Sequence, residues 1–380
     1  MAYLLMFFLS ALLLRRGCMG LMSNKQISYD GYFFTVIGLL VPILFAAFRD
    51  RTVGIDVEYY VYPFFVRAFN YNNLLTYLTV NRIDIIYGLI NWLVSKITTN
   101  FFFLLLVNQT VIIFFTYAAF WNLRKIASPW LLMLYFYFLS YNLSLSTVRQ
   151  SMGTALLLFA LSILLRDQYT KMAYMKAIIC IVIATGIQTG CVVGFICLGI
   201  LWIVQKKFVR KYLLLGAMVL AVVMYFARSY VIPIGYYIVS LLNSKYNISN
   251  TIIGAGISDN VTLLFLCVGV LVISMMLNIN RANITIEARQ MNIFLLAMTL
   301  LILLLEIMLS KYRVIIRTAQ TLQLAWPFAF AQIGHFARRD KMNQLLVNAA
   351  GLLFVFVYWW YMHVVVDYVL TMPYTVGNYF

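Results

Sequence analysis

Residues 100–121, NFFFLLLVNQTVIIFFTYAAFW, run from one end to the other without a charged side chain. A helix needs about 20 apolar residues to cross the hydrocarbon core of a bilayer, with its backbone satisfied internally. This stretch meets both demands, and comparable runs recur at 1–14, 32–48, 127–146, 150–165, 212–227, 261–280, 289–310, 318–334 and 344–364. Residues 84–98 predict a short, polar-edged helix that does not fully cross, and 174–204 is too long for one span yet marginal for two. The expected fold is all-α, a polytopic integral membrane protein of about 11 to 13 transmembrane helices with short re-entrant or interfacial helices.

Composition fixes the solvent in the same sense. The 380 residues are 64% hydrophobic and 10% charged, with mean hydropathy +0.92, whereas a soluble domain carries about a quarter charged residues. No room is left for a soluble catalytic or nucleic-acid-binding domain, and residues 1–380 read as one integral domain with outer loops at 49–83 and 228–260. The formal charge of +17 is therefore topological. Basic clusters at Arg15/Arg16/Lys25, Arg124/Lys125, Arg166/Lys171/Lys176, Lys206/Lys207/Arg210/Lys211, Arg281/Arg289 and Arg338/Arg339/Lys341 can all be cytoplasmic if 174–204 goes out and back around Gln188. Residues 1–14 precede their arginines and read as a first membrane helix, not a removable signal. The five cysteines are scattered, with no CxxC pair, and point to neither a disulfide framework nor a zinc site.

The informative charges are those that orientation does not use. The segment RDRTVGIDVEYY, residues 49–60, follows an apolar run directly. It places Arg49 and Arg51 on the outer side, where Arg67, Arg82, Arg149, Lys311, Arg313 and Arg317 also fall. Arginine offers a planar fork of donors that fits phosphate bidentately and stays charged when partly desolvated, so converging arginines at a membrane surface suggest a phosphate or pyrophosphate ligand. Glu306 lies inside an apolar run, where an ionisable group marks a functional site by default. If that helix continues, Glu306, Ser310, Arg313 and Arg317 form one stripe. Asp56 and Glu58 have the D-x-E spacing of a weak divalent-metal motif, but Asp56 reads better as an orienting partner of Arg51 or as a base. No phosphate-binding loop, G-x-S-x-G or His/Cys cluster accompanies them.

These residues resemble a known family. Arg49-x-x-Thr52-Val53-Gly54-x-Asp56-x-x-x-Tyr60 is similar to the signature of the EpsG/Wzy-like polysaccharide polymerases, and further elements follow in order. Asp84 precedes an aromatic, Tyr87, at the head of a short helix, with Asp where Glu is usual. Thr147-Val-Arg149-Gln150 resembles an R-Q-x-x-A element with Gly153 in place of Ala, and Ala184-x-x-x-Gln188-x-Gly190 resembles A-x-x-x-H-x-S with Gln for His and Gly for the hydroxyl residue. Lys311-Tyr-Arg313-Val-Ile-Ile-Arg317 and Met372-Pro373-Tyr374 match a late basic loop and a C-terminal Pro-Tyr.

The resemblance implies a glycosyltransferase of the bacterial cytoplasmic membrane, working on its outer face. It would join oligosaccharide repeat units carried on undecaprenyl pyrophosphate, with no nucleic acid, no metal and no cofactor. Under it Asp56 is the first candidate base, with Asp84 and Glu306 behind it. Arg51, Arg149, Arg313 and Arg317 hold the pyrophosphates, and Tyr60, Gln150 and Gln188 position substrate. Gln188 can orient a hydroxyl but cannot take its proton at neutral pH. Membrane lipids and other polysaccharide-assembly proteins, such as a chain-length regulator and a flippase, are the implied partners. A transporter or flippase of the same lipid-linked sugar, or an O-antigen-ligase-like transferase, would use similar arginines and stands as the alternative.

Overall fold

The computed structural model describes residues 1–23, 29–167, 169–205, 268–269, 271–273, 286–309, 323, 326–336 and 341–379. Fourteen α-helices are distinguished among them: α1 (Ala2–Ser23), α2 (Tyr29–Ala47), α3 (Tyr62–Ala68), α4 (Leu74–Asn81), α5 (Ile85–Ile97), α6 (Phe101–Asn122), α7 (Pro129–Phe136), α8 (Asn142–Ser146), α9 (Val148–Arg166), α10 (Lys171–Ile187), α11 (Val193–Gln205), α12 (Ile286–Leu309), α13 (Trp326–Phe336) and α14 (Lys341–Trp360). Five stretches are long and apolar enough to span: Ala2–Met22, Tyr29–Ala47, Phe101–Asn122, Val148–Arg166 and Leu345–Val365. Among the described residues the only β-pairing is one isolated antiparallel bridge, Arg49 with Val376. The protein is an all-α, multi-pass membrane protein. The expected span 212–227, the loop 228–260 and most of 261–280 lie outside the described residues.

Local chemistry sets the helix starts. Asn73, Asn100 and Thr170 each accept a hydrogen bond from a first-turn N–H of α4, α6 and α10 (2.8, 2.9 and 3.2 Å), and Pro129 opens α7 where a missing N–H costs nothing. Pro42 inside α2 is the costly exception, because it cannot donate to the Gly38 carbonyl one turn back. Ser10 of α1 supplies the missing donor, its Oγ 2.6 Å from the Gly38 oxygen and 2.6 Å from the Tyr137 hydroxyl. Tyr141 then donates to the Pro42 carbonyl at 2.6 Å. Lipid offers helices no hydrophobic drive to associate, so such buried bonds and tight packing hold the bundle. Phe7 packs among Tyr137, Phe138, Tyr141 and Trp359 for the same reason.

Side-chain contacts fix the helix directions. In α1, Ser10 meets Tyr137 while Arg15 lies over Trp130, so α1 and α7 run antiparallel. α6 and α9 run parallel instead, for Asn122 at the C-terminal end of α6 bonds Ser162 near the C-terminal end of α9, and Arg166 reaches the same Asn122 at 2.7 Å. The α9 span is 89% buried, against 39% for α1 and 28% for the α14 span, so α9 is the central post and the others face outward. The consequence for function is one crowded end. Tyr3, the Ala47–Arg49 corner, Asn100, the Ser146–Arg149 corner, Thr189 and the C-terminal residues all come together there. Arg166, Arg124 and Lys125 lie at the opposite end.

Two expectations change, and two others hold. The first span does not end before Arg15 and Arg16: α1 continues to Ser23, with both arginines exposed and stacked over Trp130 (5.5 Å) and Phe34 (4.8 Å). Their long stems let a helix carry charge outward without stopping. Residues 49–83 are not a loop but a π-helical turn (Val57–Val61) leading into α3 and α4. The 174–204 stretch does turn back at Gln188, through a 3-10 turn, Thr189–Val192, between α10 and α11. The short helix expected over 84–98 is α5, whose start is tied to Arg149 and whose end leads into Asn100 at the same end of the bundle.

Candidate functional site

The signature segment folds as a tight corner. Asp50 accepts from the Thr52 amide (2.9 Å) and hydroxyl (2.7 Å). Burial alone would raise its carboxyl, but those two bonds and neighbouring Arg51 bring it below the ordinary carboxylate range. Gly54 sits at φ +99°, and a Cβ there would lie 2.8 Å from the Leu145 carbonyl oxygen, so the corner approaches α8 as closely as a glycine allows. Beyond it Asp56 is half-buried at the head of the π turn, with Glu58, Tyr59 and Tyr60 exposed beside it.

The chain's last residues strap this corner down. The Asp50 amide donates to Thr375 O (2.8 Å), Gly377 N to Phe48 O (2.9 Å) and Gly54 N to Leu370 O (2.8 Å). Tyr374 and Tyr379 donate from their hydroxyls to Phe45 O (2.6 Å) and Arg49 O (2.7 Å), and Asn100 Nδ2 holds Tyr379 O at 2.8 Å. Thr371 anchors the strap to the bundle, accepting from Tyr3 at its carbonyl (2.9 Å) and from Asn142 at its hydroxyl (2.9 Å), while Trp359 Nε1 fixes the Asn142 amide (2.8 Å).

Arg49 is the largest departure from expectation. Grouped by sequence with the outer arginines that await an anion, it is 1% exposed, and its hydrogen bond goes to Leu145 O (Nη2, 3.0 Å). Tyr3, Tyr141, Tyr374 and Tyr379 surround it, each donating its proton to a backbone carbonyl and leaving oxygen lone pairs as its counter-environment. Its Nε and Nη1 find no partner. Desolvating a charge costs several kcal/mol, whereas a charge-assisted hydrogen bond contributes about 1.5–3 kcal/mol, so the charge is a net burden on the fold. Arg49→Met, of similar length and without charge, should therefore unfold in detergent no earlier than wild type. A fall of about 5 °C or more in thermal midpoint would show that the tyrosine ring compensates the charge.

A second group forms where three elements converge. Asp84 is the N-cap of α5, yet its side chain makes no capping bond. It turns instead to Arg149 in the first turn of α9 (Nη1 to Oδ2, 3.2 Å) and to the Thr189 hydroxyl in the α10–α11 turn (Oγ1 to Oδ1, 2.7 Å). The Arg149 guanidinium also lies over the rings of Phe64 in α3 (5.8 Å) and Tyr87 in α5 (5.7 Å). Gly153 permits the approach of the turn to α9: a Cβ there would stand 2.4 Å from Cys191 Sγ and 3.2 Å from Ala184 O. Gln188, half a step away, is buried, as is Gln150 beside Arg149. Arg51 is exposed and stacks on Tyr62 (4.9 Å), so Arg51 and Arg149 attach to the same short helix, α3, through Tyr62 and Phe64.

The sequence-predicted residues thus divide. Asp84, Arg149 and the Gln188 turn are brought together; Arg51, Asp56 and Tyr60 share the adjoining signature segment. Glu306 lies within α12, and Arg313 and Arg317 fall outside the described residues. Sequence reading missed Thr189, Phe64 and the strap. Thr189 stands beside the Gln188 it singled out, and Tyr374 belongs to a motif it noted without a role.

An all-α, multi-pass membrane protein with a polar, arginine-bearing cluster at one end is the class these features define. Over residues 32–376 the chain matches the EpsG family, and it belongs to that family. Membership supports a polysaccharide polymerase-type role. No curated protein and no solved structure matches the chain.

Proposed function

We propose that the protein is a membrane glycosyltransferase that joins repeat units carried on undecaprenyl pyrophosphate, on the outer face of the bacterial cytoplasmic membrane. The observation that carries this reading is the Arg149–Asp84–Thr189 cluster at the end of the bundle opposite Arg166, Arg124 and Lys125. Displacing a lipid pyrophosphate from an anomeric carbon builds negative charge on the leaving group. Arginines fixed beforehand stabilise that charge without reorganising, which makes a metal unnecessary. Arg149 and Arg51 take this role, joined by Arg313 and Arg317. Asp56, half-buried beside the exposed Tyr60, removes the proton of the acceptor hydroxyl as it attacks. Glu306 is a further carboxylate for that proton, and Gln150 and Gln188 orient sugar hydroxyls.

The test is a strain lacking the gene. Its surface glycan should collapse to single repeat units and recover its length on complementation; unchanged polymer would refute the reading. Sidedness is tested in the same strain with Tyr59→Cys, a position 67% exposed. An impermeant thiol reagent should label it in intact spheroplasts, and labelling only after permeabilisation would invert the topology.

A further inference from the structure

Asp84 behaves unlike a helix cap. An Asp at this position ordinarily accepts a bond from the second or third N–H of its own helix, worth about 1 kcal/mol. Here it forgoes that bond, and each carboxylate oxygen is committed to a different element, Oδ2 to Arg149 and Oδ1 to Thr189. With Phe64 and Tyr87 over its guanidinium, Arg149 is oriented by three residues from α3 and α5, and through Asp84 by Thr189 in the turn. The Asp84 side chain is 9% exposed and that of Arg149 17%. The Asp84 side chain is therefore nearly enclosed, and that of Arg149 is the more exposed of the two.

We propose that Thr189 is a positioning residue that, through Asp84, aims the Arg149 guanidinium at the pyrophosphate of the lipid-linked substrate. The inference rests on the function proposed above, and it assigns Asp84 to orienting Arg149 in place of proton transfer. The hydroxyl donates its proton to Oδ1, which keeps the carboxylate from rotating about χ2; the plane of the carboxylate then fixes the direction of the Arg149 fork. A misaimed donor loses most where charge develops, so the loss should fall on turnover more than on substrate capture.

The test uses purified full-length protein in nanodiscs with an undecaprenyl-pyrophosphate-linked repeat unit, wild-type turnover being the control for the function itself. Thr189→Val removes the hydroxyl at constant shape and should lower kcat about tenfold or more while KM changes little. Thr189→Ser keeps the donor and should restore most of the rate. The exchange Asp84→Arg with Arg149→Asp rebuilds an ion pair of reversed sense. If the pair only fastens helices together, the exchange should be active; if Arg149 must face pyrophosphate, it should be inactive with normal folded yield. An active Thr189→Val, an active exchange, or activity that merely tracks folded yield across the series would overturn the inference. Wild-type protein that joins no repeat units would instead overturn the function on which it rests.

Discussion

Asp56→Asn should stop polymerisation while leaving the amount of folded protein unchanged. The side chain is half-buried at the head of the π turn, and the isosteric amide keeps its shape and one acceptor oxygen there. The amide cannot accept a proton at neutral pH, and loss of a general base costs about a hundredfold to ten-thousandfold in rate. The measurement is repeat-unit joining by purified protein in EDTA. Wild type should be active and Asp56→Asn inactive. Activity that vanishes in EDTA and returns with a divalent ion would make Asp56 and Glu58 metal ligands. A fully active Asp56→Asn would pass the role of base to Glu306 or dispense with one.

Removal of residues 374–380 should be as severe, by a different route. It strips the Asp50 and Gly377 backbone bonds, the Tyr374 and Tyr379 hydroxyl bonds and the Asn100 bond from the signature corner. At roughly 1 kcal/mol each the loss is about 5 kcal/mol, comparable with the whole stability of many domains, but confined to one end. The membrane helices end before the cut, so the chain should still insert. Activity should be lost and a protease added from outside should cleave near Thr52. A truncated protein that polymerises normally would reduce the strap to decoration.

Much of the fold was legible because lipid imposes a simple rule on sequence. The runs that became α2, α6, α9 and α14 are uninterrupted apolar stretches of crossing length, and α5 announced itself by its polar edges. Arg15 and Arg16 misled, since a charge ends an apolar run on paper but not a helix whose arginines can stack on Trp130 and Phe34. The site was legible only in part. Arg149 stood out as a charge that topology did not need and Asp84 by the family resemblance, yet nothing local reveals that they pair, because α5 and α9 meet only in the folded bundle. Arg49 looked like its neighbour Arg51; its burial is decided by Tyr3, Tyr141, Tyr374 and Tyr379, spread over nearly the whole chain. Thr189 carried no signal beyond adjacency, since one hydroxyl in a turn is ordinary until its carboxylate partner arrives from elsewhere.

The strap also sets an order of events. A ribosome releases the signature corner early, and α2, α6 and α9 can enter the bilayer one after another as they emerge, but Leu370, Thr375, Gly377 and Tyr379 are made after all of these. Until they dock, Arg49 lacks two of the tyrosines around it and Gly54 lacks its amide partner. Prematurely terminated chains would therefore reach the membrane without a finished corner and would lie there inert. An insertion after Tyr379 would emerge beside the signature corner and one before Tyr3 would reach the same end, so the harmless place for a tag is the basic end of the bundle.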